Sequence, residues 1–135
     1  MIDANTLNLN SKGLLPDLLG IKMLDVGDGY VESKMVVAEH HMAPNGFLHA
    51  ASIVALADTS CGNGAVVNLP EGAVGFTTIE LKSNHLSTVK SGTIRCSAKA
   101  IHLGRQTQVW DAEVTSEETG KTLAHFRCTQ MILYR

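Results

Sequence analysis

The segment Leu48-His49-Ala50-Ala51-Ser52-Ile53-Val54-Ala55-Leu56-Ala57-Asp58-Thr59-Ser60-Cys61-Gly62-Asn63-Gly64 carries one formally charged side chain, Asp58, among small and apolar residues. Apolar or small residues fall on nearly every side of a 3.6-residue period. The spacing therefore predicts a helix over 48–64 that is buried all round rather than amphipathic, stopped by Gly-Asn-Gly. What surrounds this helix decides the fold. Upstream, residues 39–47 (EHHMAPNGF) are polar and aperiodic, and read as a connection. Ile21–Val26 and Tyr30–Ala38 suit two strands joined by the turn Asp25-Val26-Gly27-Asp28-Gly29. Residues 11–20 suit a helix of one or two turns, shortened by Pro16.

Downstream, Asn68-Leu69-Pro70-Glu71-Gly72 is a turn, and strands are expected over 73–83, 92–103, 105–115 and 122–134. Ile94, Cys96, Ala98 and Ala100 alternate with a period of two, and Ser116 to Lys121 separates the last two strands. No second long helix supplies the crossovers of a parallel sheet. The expected class is α+β, one curved antiparallel sheet wrapped around a long central helix.

A chain of 135 residues is one domain. Eleven Lys and Arg against thirteen Asp and Glu leave a net charge of -2, too little basic field for a nucleic acid partner. Met1-Ile2-Asp3-Ala4-Asn5 has no basic leader, and no run of eighteen uncharged apolar residues offers a membrane span, so the cytoplasm is expected. Cys61, Cys96 and Cys128 are an odd number, widely spaced in apolar segments, and read as buried thiols.

Asp58 is the sharpest residue, because a carboxylate in a low-dielectric helix must be hydrogen-bonded, protonated or functional. It is either a nucleophile or general base, or a structural acid bonded to Thr59 or Ser60 or capping a neighbouring segment. The helix start offers the complementary chemistry: amides without intrahelical acceptors and the positive end of the dipole. Asp58 lies eight residues beyond Ala50. At 1.5 Å per residue the two are about 12 Å apart along the axis, too far to act on one carbonyl. The working hypothesis is a symmetric pair of chains that brings Asp58 of one against the amides of the other.

Ala43-Pro44-Asn45-Gly46-Phe47-Leu48-His49-Ala50-Ala51, Leu56-Ala57-Asp58-Thr59, Ser83-Asn84-His85-Leu86 and Ile101-His102-Leu103-Gly104-Arg105 carry a resemblance that spans nearly the whole chain. They resemble acyl-CoA thioesterases of the hotdog superfamily, of the phenylacetate-degradation and hydroxybenzoyl-CoA type. The resemblance implies the hotdog fold and hydrolysis of an aromatic or medium-sized acyl-CoA, with CoA as part of the substrate and no cofactor or metal. It places the acid on Asp58, acting from the opposite subunit, the carbonyl-polarising amide on Ala50 and the helix-start histidine on His49. It implies a homodimer or a homotetramer of paired dimers.

Three departures accompany the match. His49-Ala50-Ala51 replaces His-Gly-Gly; Ala43 stands where a Gln is usual, leaving Asn45 as its substitute; and Gly62 stands where a helical hydroxyl is usual, leaving Thr59, Ser60 or Asn63 to orient water. His85, Lys90, Lys99, His102, Gly104 and Arg105 are the candidates for CoA, together with Thr59 and Asn63. Met35, Met42, Met131, Phe47, Phe76 and Trp110 are divided between an acyl pocket and the core. The alternative reading is a non-catalytic module that binds acyl-CoA or an acyl carrier protein, which the His-Ala-Ala start favours; a hydratase is disfavoured by an acid placed within the helix. His40, His41 and His49 lack the accompanying pattern of carboxylates that orients the histidines of a metal site.

Overall fold

The computed structural model describes residues 2–135. Two short helices, α1 (Ala4–Asn10) and α2 (Leu15–Leu18), precede the hairpin β1 (Ile21–Gly27) and β2 (Tyr30–Val36). A 3-10 turn at Glu39–His41 leads into the long helix α3 (Ala50–Val67). Four strands follow: β3 (Ala73–His85), β4 (Thr93–Leu103), β5 (Thr107–Ser116) and β6 (Thr122–Tyr134). All six strands form one sheet in the order β1-β2-β4-β5-β6-β3, every pair antiparallel. The chain leaves β2 near one edge, crosses one face of the sheet as α3, and enters β3 at the other edge. This is the expected hotdog architecture.

The core lies between α3 and the inward residues of the sheet. Trp110, Met35, Ile53, Leu56, Ile94 and Leu123 are fully buried, each contributing roughly 1.5–3 kcal/mol of apolar transfer free energy. The expected alternation holds in β4, where Ile94, Cys96 and Ala98 are buried. Met35 and Trp110 thus belong to the core, and the three thiols are free and buried.

Several boundaries differ from the sequence reading. α1 was not expected; Asp3 caps it by accepting from the Thr6 N–H at 2.8 Å. Asn8 on α1 accepts from the Met23 N–H at 2.8 Å and donates to the Met23 carbonyl at 2.9 Å, covering part of the β1 edge. β3 has no strand on its other side, and most of its residues are exposed.

α3 starts at Ala50 rather than Leu48 and runs through Gly62-Asn63-Gly64 to Val67. Inside the helix, these two positions are glycine because rings press against them. A Cβ at Gly64 would lie 2.6 Å from the Trp110 ring, and one at Gly62 would lie 3.1 Å from Phe76. The actual stop is Asn68, whose side chain accepts from the Gly29 N–H at 3.0 Å and donates to the carbonyls of Gly64 and Gly27.

Nor is α3 buried all round. Ser52, Ile53, Leu56, Ala57, Ser60, Cys61, Gly64 and Ala65 are buried, while Asp58, Thr59, Gly62, Asn63 and Val66 are half-exposed. The six-stranded sheet covers only one side of the helix, although small residues lie all round it. α3 is long and apolar enough by composition to cross a bilayer; here half of it is buried against the sheet.

Candidate active site

The first turn of α3 holds one half of the candidate site. His49 is the N-cap, in extended backbone (φ -67°, ψ 136°), and its Nδ1 accepts from the Ala51 N–H at 2.9 Å. The ring proton of the neutral imidazole therefore sits on Nε2, on an exposed side chain. The His49 N–H donates to the His41 carbonyl at 3.0 Å and the Ser52 N–H to the His49 carbonyl at 2.9 Å. These bonds occupy the amides of His49, Ala51 and Ser52. Ala50, at the first helical position, has no acceptor within the helix, and its N–H is the free donor of this turn at the positive end of the dipole.

A recess of about 300 Å³ opens here, lined by Ala43, Asn45, Phe47, Leu48, His49, Ala50 and Thr88. Asn45 uses its side-chain oxygen to accept from the Phe47 N–H at 3.1 Å, closing a turn that Gly46 completes at φ +86°. Its amide NH2 makes no hydrogen bond among the described residues. Lys90 stands over the Phe47 ring, with Nζ 4.7 Å from the centroid, at the edge of the recess.

Asp58 is the other half of the candidate site. Its Oδ1 is buried without a hydrogen-bond partner, and burial pushes the carboxyl above the ordinary aspartate range. Among the described residues no hydrogen bond links its side chain to Thr59, to Ser60 or to a neighbouring segment. The Ser60 hydroxyl donates to the Leu56 carbonyl at 2.7 Å and, with that proton committed, accepts from Ser33 at 2.6 Å. Asp58 opens into a separate recess of about 220 Å³, with Thr59 and Asn63 beside it and Pro16, Val66, Phe76 and Thr78 as walls. Sequence reasoning missed Pro16, Thr78 and Thr88. Thr78 lies on an edge strand whose weak alternation does not show which side chains face α3.

The CoA candidates separate into groups. His85 and Lys90 flank the segment that returns to the start of α3, where the Leu48 N–H bonds the Val89 carbonyl. His102, Gly104 and Arg105 sit at the β4–β5 turn, near the far end of the helix. There the His102 ring packs over Gly104, and Arg105 lies 5.3 Å from the Tyr134 ring centroid while its carbonyl accepts from the Tyr134 hydroxyl. Lys99 is on the outer sheet face with Lys82, Asp111 and Arg127, away from both recesses. Phe47 and Phe76 line recesses; Met42 is half-buried and Met131 is 43% exposed. Both ring nitrogens of His41 are occupied by protein groups. Burial raises the Cys96 thiol to about 12, so it supplies no thiolate at neutral pH.

Residues 45–123 match the sequence model of the thioesterase superfamily. The chain is 34% identical over 115 residues to a 1,4-dihydroxy-2-naphthoyl-CoA hydrolase of Listeria monocytogenes, covering 85% of this chain and 92% of that protein. It is 32% identical over 132 residues to the 1,4-dihydroxy-2-naphthoyl-CoA hydrolase of Escherichia coli, covering 98% and 96%. Among solved structures, a mutant of thioesterase PA1618 from Pseudomonas aeruginosa superposes with a TM-score of 0.92 at 31% identity, covering 98% of this chain and 95% of that one.

Proposed function

Because the chain belongs to the thioesterase superfamily and hydrolyses an acyl-CoA thioester to the free acid and CoA, we propose that its catalytic unit is a two-fold dimer with sites shared between subunits. One observation carries this reading. The free Ala50 amide and the unpartnered Asp58 carboxylate open into different recesses of one protomer, about 12 Å apart along one helix. Neither half serves a carbonyl alone. The open β3 edge, with the half-exposed face of α3 beside it, is the surface on which a second copy completes both halves.

In this arrangement the thioester oxygen accepts from the Ala50 N–H, where the helix dipole favours the charge that develops on it. The His49 Nε2–H and the Asn45 amide are donors at the rim. Asp58 of the partner subunit delivers the attacking oxygen, its own or that of a water it deprotonates. The C–S bond breaks and CoA leaves as thiolate. When the carboxylate itself attacks, water then cleaves the acyl-Asp58 anhydride. Either route requires the ionised carboxylate. Thr59 and Asn63 flank the attacking oxygen.

The apolar walls Pro16, Val66 and Phe76 beside Asp58 suit an aromatic or medium-sized acyl group, and the naphthoyl-CoA hydrolases among the relatives support this choice. Antiparallel pairing of two β3 edges reverses one subunit against the other. It thereby sets the His102–Arg105 end of one beside the helix start, His85 and Lys90 of its partner, where CoA phosphates are bound by Lys and Arg charge and loop amides. The mixed charges of the outer sheet face, Lys82, Lys99, Asp111 and Arg127, offer a surface for pairing two dimers into a tetramer. Buried free thiols and a CoA substrate suit the cytoplasm.

The test is CoA release from a panel of aryl- and alkyl-CoA thioesters by wild type and Asp58→Asn. Aryl-CoA esters are expected to turn over fastest and the variant to lose turnover on all of them. Undiminished release by the variant would remove Asp58 from the mechanism.

A further inference from the structure

Behind the helix start lies a polar cluster centred on His41, which ends the 3-10 turn and is 2% exposed. Its Nδ1 accepts from the Ala38 N–H at 2.9 Å, which places the ring proton on Nε2, and Nε2 donates to the Leu19 carbonyl at 2.7 Å. Its main-chain carbonyl accepts twice, from the His49 N–H at 3.0 Å and from the Ser52 hydroxyl at 2.8 Å. One residue thus ties the end of α2 and the segment after β2 to both sides of Ala50 in the first turn of α3. The imidazole suits this task because it sets an acceptor and a donor on opposite edges of one rigid ring. A side-chain amide carries its donor and acceptor together at one end rather than on opposite edges of a ring.

We propose that His41 is a positioning residue for the Ala50 amide: its ring fixes the carbonyl that holds His49 and Ser52, and these set the direction of the N–H that receives the thioester oxygen. This rests on the assignment of the Ala50 amide as the polarising donor. An oxyanion donor acts through alignment with the transition state, so loosening it lowers kcat more than it weakens substrate binding. His40, whose ring centroid is 4.2 Å away, makes no hydrogen bond to this cluster.

The test compares His41→Leu, His41→Gln, Ser52→Ala and Ala50→Pro by steady-state kinetics, with the folded fraction at assay temperature taken from circular dichroism. His41→Leu is expected to lose kcat by about 10- to 100-fold with KM within about threefold. His41→Gln, which restores a donor to the Leu19 carbonyl, is expected to recover part of that loss. Ser52→Ala is expected to lose kcat by roughly three- to tenfold. Folded His41→Leu with full kcat, or a loss that only follows the unfolded fraction, would overturn the proposal; if that variant fails to fold, His41→Gln and Ser52→Ala are judged by the same criterion. Ala50→Pro separates the two readings, because proline at the first helical position removes this N–H alone and the extended backbone of His49 accommodates it. Full turnover in Ala50→Pro overturns the amide assignment itself, whereas an inactive Ala50→Pro beside fully active His41 variants overturns only the role of His41.

Discussion

Asp58 combines two properties that rarely serve stability: an oxygen buried without a donor, and a carboxyl raised by desolvation. Its folded pKa lies above its unfolded value, so the folded state holds the proton more tightly. The penalty of burying the charge is absent below the unfolded value and sets in as pH rises through the folded one. Asp58→Asn is neutral throughout and escapes it. This variant is expected to lose kcat by roughly 10²- to 10⁴-fold while its Tm at neutral pH rises by roughly 2–5 °C. A calorimetric scan beside the CoA-release assay checks both, and a lower Tm would mean that Asp58 is structural. The acid limb of kcat in the wild type should have its midpoint above 3.8, the ordinary aspartate value, because the proposed mechanism uses the ionised form. A pH–rate profile measures it. Asp58 was legible because one charge in an otherwise apolar helix stands out. His41 was not: its two ring bonds and two carbonyl bonds reach Leu19, Ala38, His49 and Ser52, contacts that no local spacing encodes.

At the scale of elements, the glycines of α3 show where sequence reasoning loses ground. Gly62-Asn63-Gly64 has the composition of a helix stop, yet the helix runs through it, and position 64 is glycine because Trp110 on β5 occupies the space a Cβ would take. Trp110 is fully buried, and its indole donates to Gln108, which in turn donates to the Asn68 carbonyl at the helix end. The ring is therefore tied at its Nε1 edge and fully buried, and has little room to yield. Gly64→Ala is expected to destabilise by about 1–3 kcal/mol through overpacking, despite the higher helix propensity of alanine. Gly62→Ala meets only the half-buried Phe76 ring at 3.1 Å and should shift stability by less than about 1 kcal/mol. Urea denaturation of the two variants makes the comparison; equal effects would mean that backbone propensity outweighs the ring. The strand pattern, by contrast, was legible because β2, β4 and β5 bury alternate residues. β1 and β3 are edges, and α1, which covers part of the β1 edge, announces itself only by the Asp3 cap.

For the whole molecule, the half-exposed face of α3 corrects the expectation of complete burial in a way that bears on assembly. Small residues around the entire helix are consistent with two covers, the sheet of its own chain and the face of another. If each active site takes Ala50 from one subunit and Asp58 from the other, inactive chains can complement one another. In a mixed dimer of Asp58→Asn and Ala50→Pro chains, one site carries both substitutions and the other carries neither. Equal mixing with random subunit exchange makes about half of the dimers mixed, so about one quarter of all sites are intact. The expected result is recovery of about 25% of wild-type turnover from two inactive preparations after exchange, with no recovery when exchange is blocked by cross-linking beforehand. Sites contained within single chains would give no recovery at any mixing ratio, and that outcome would also remove the reason to couple α3 of one subunit to the β3 edge of its partner.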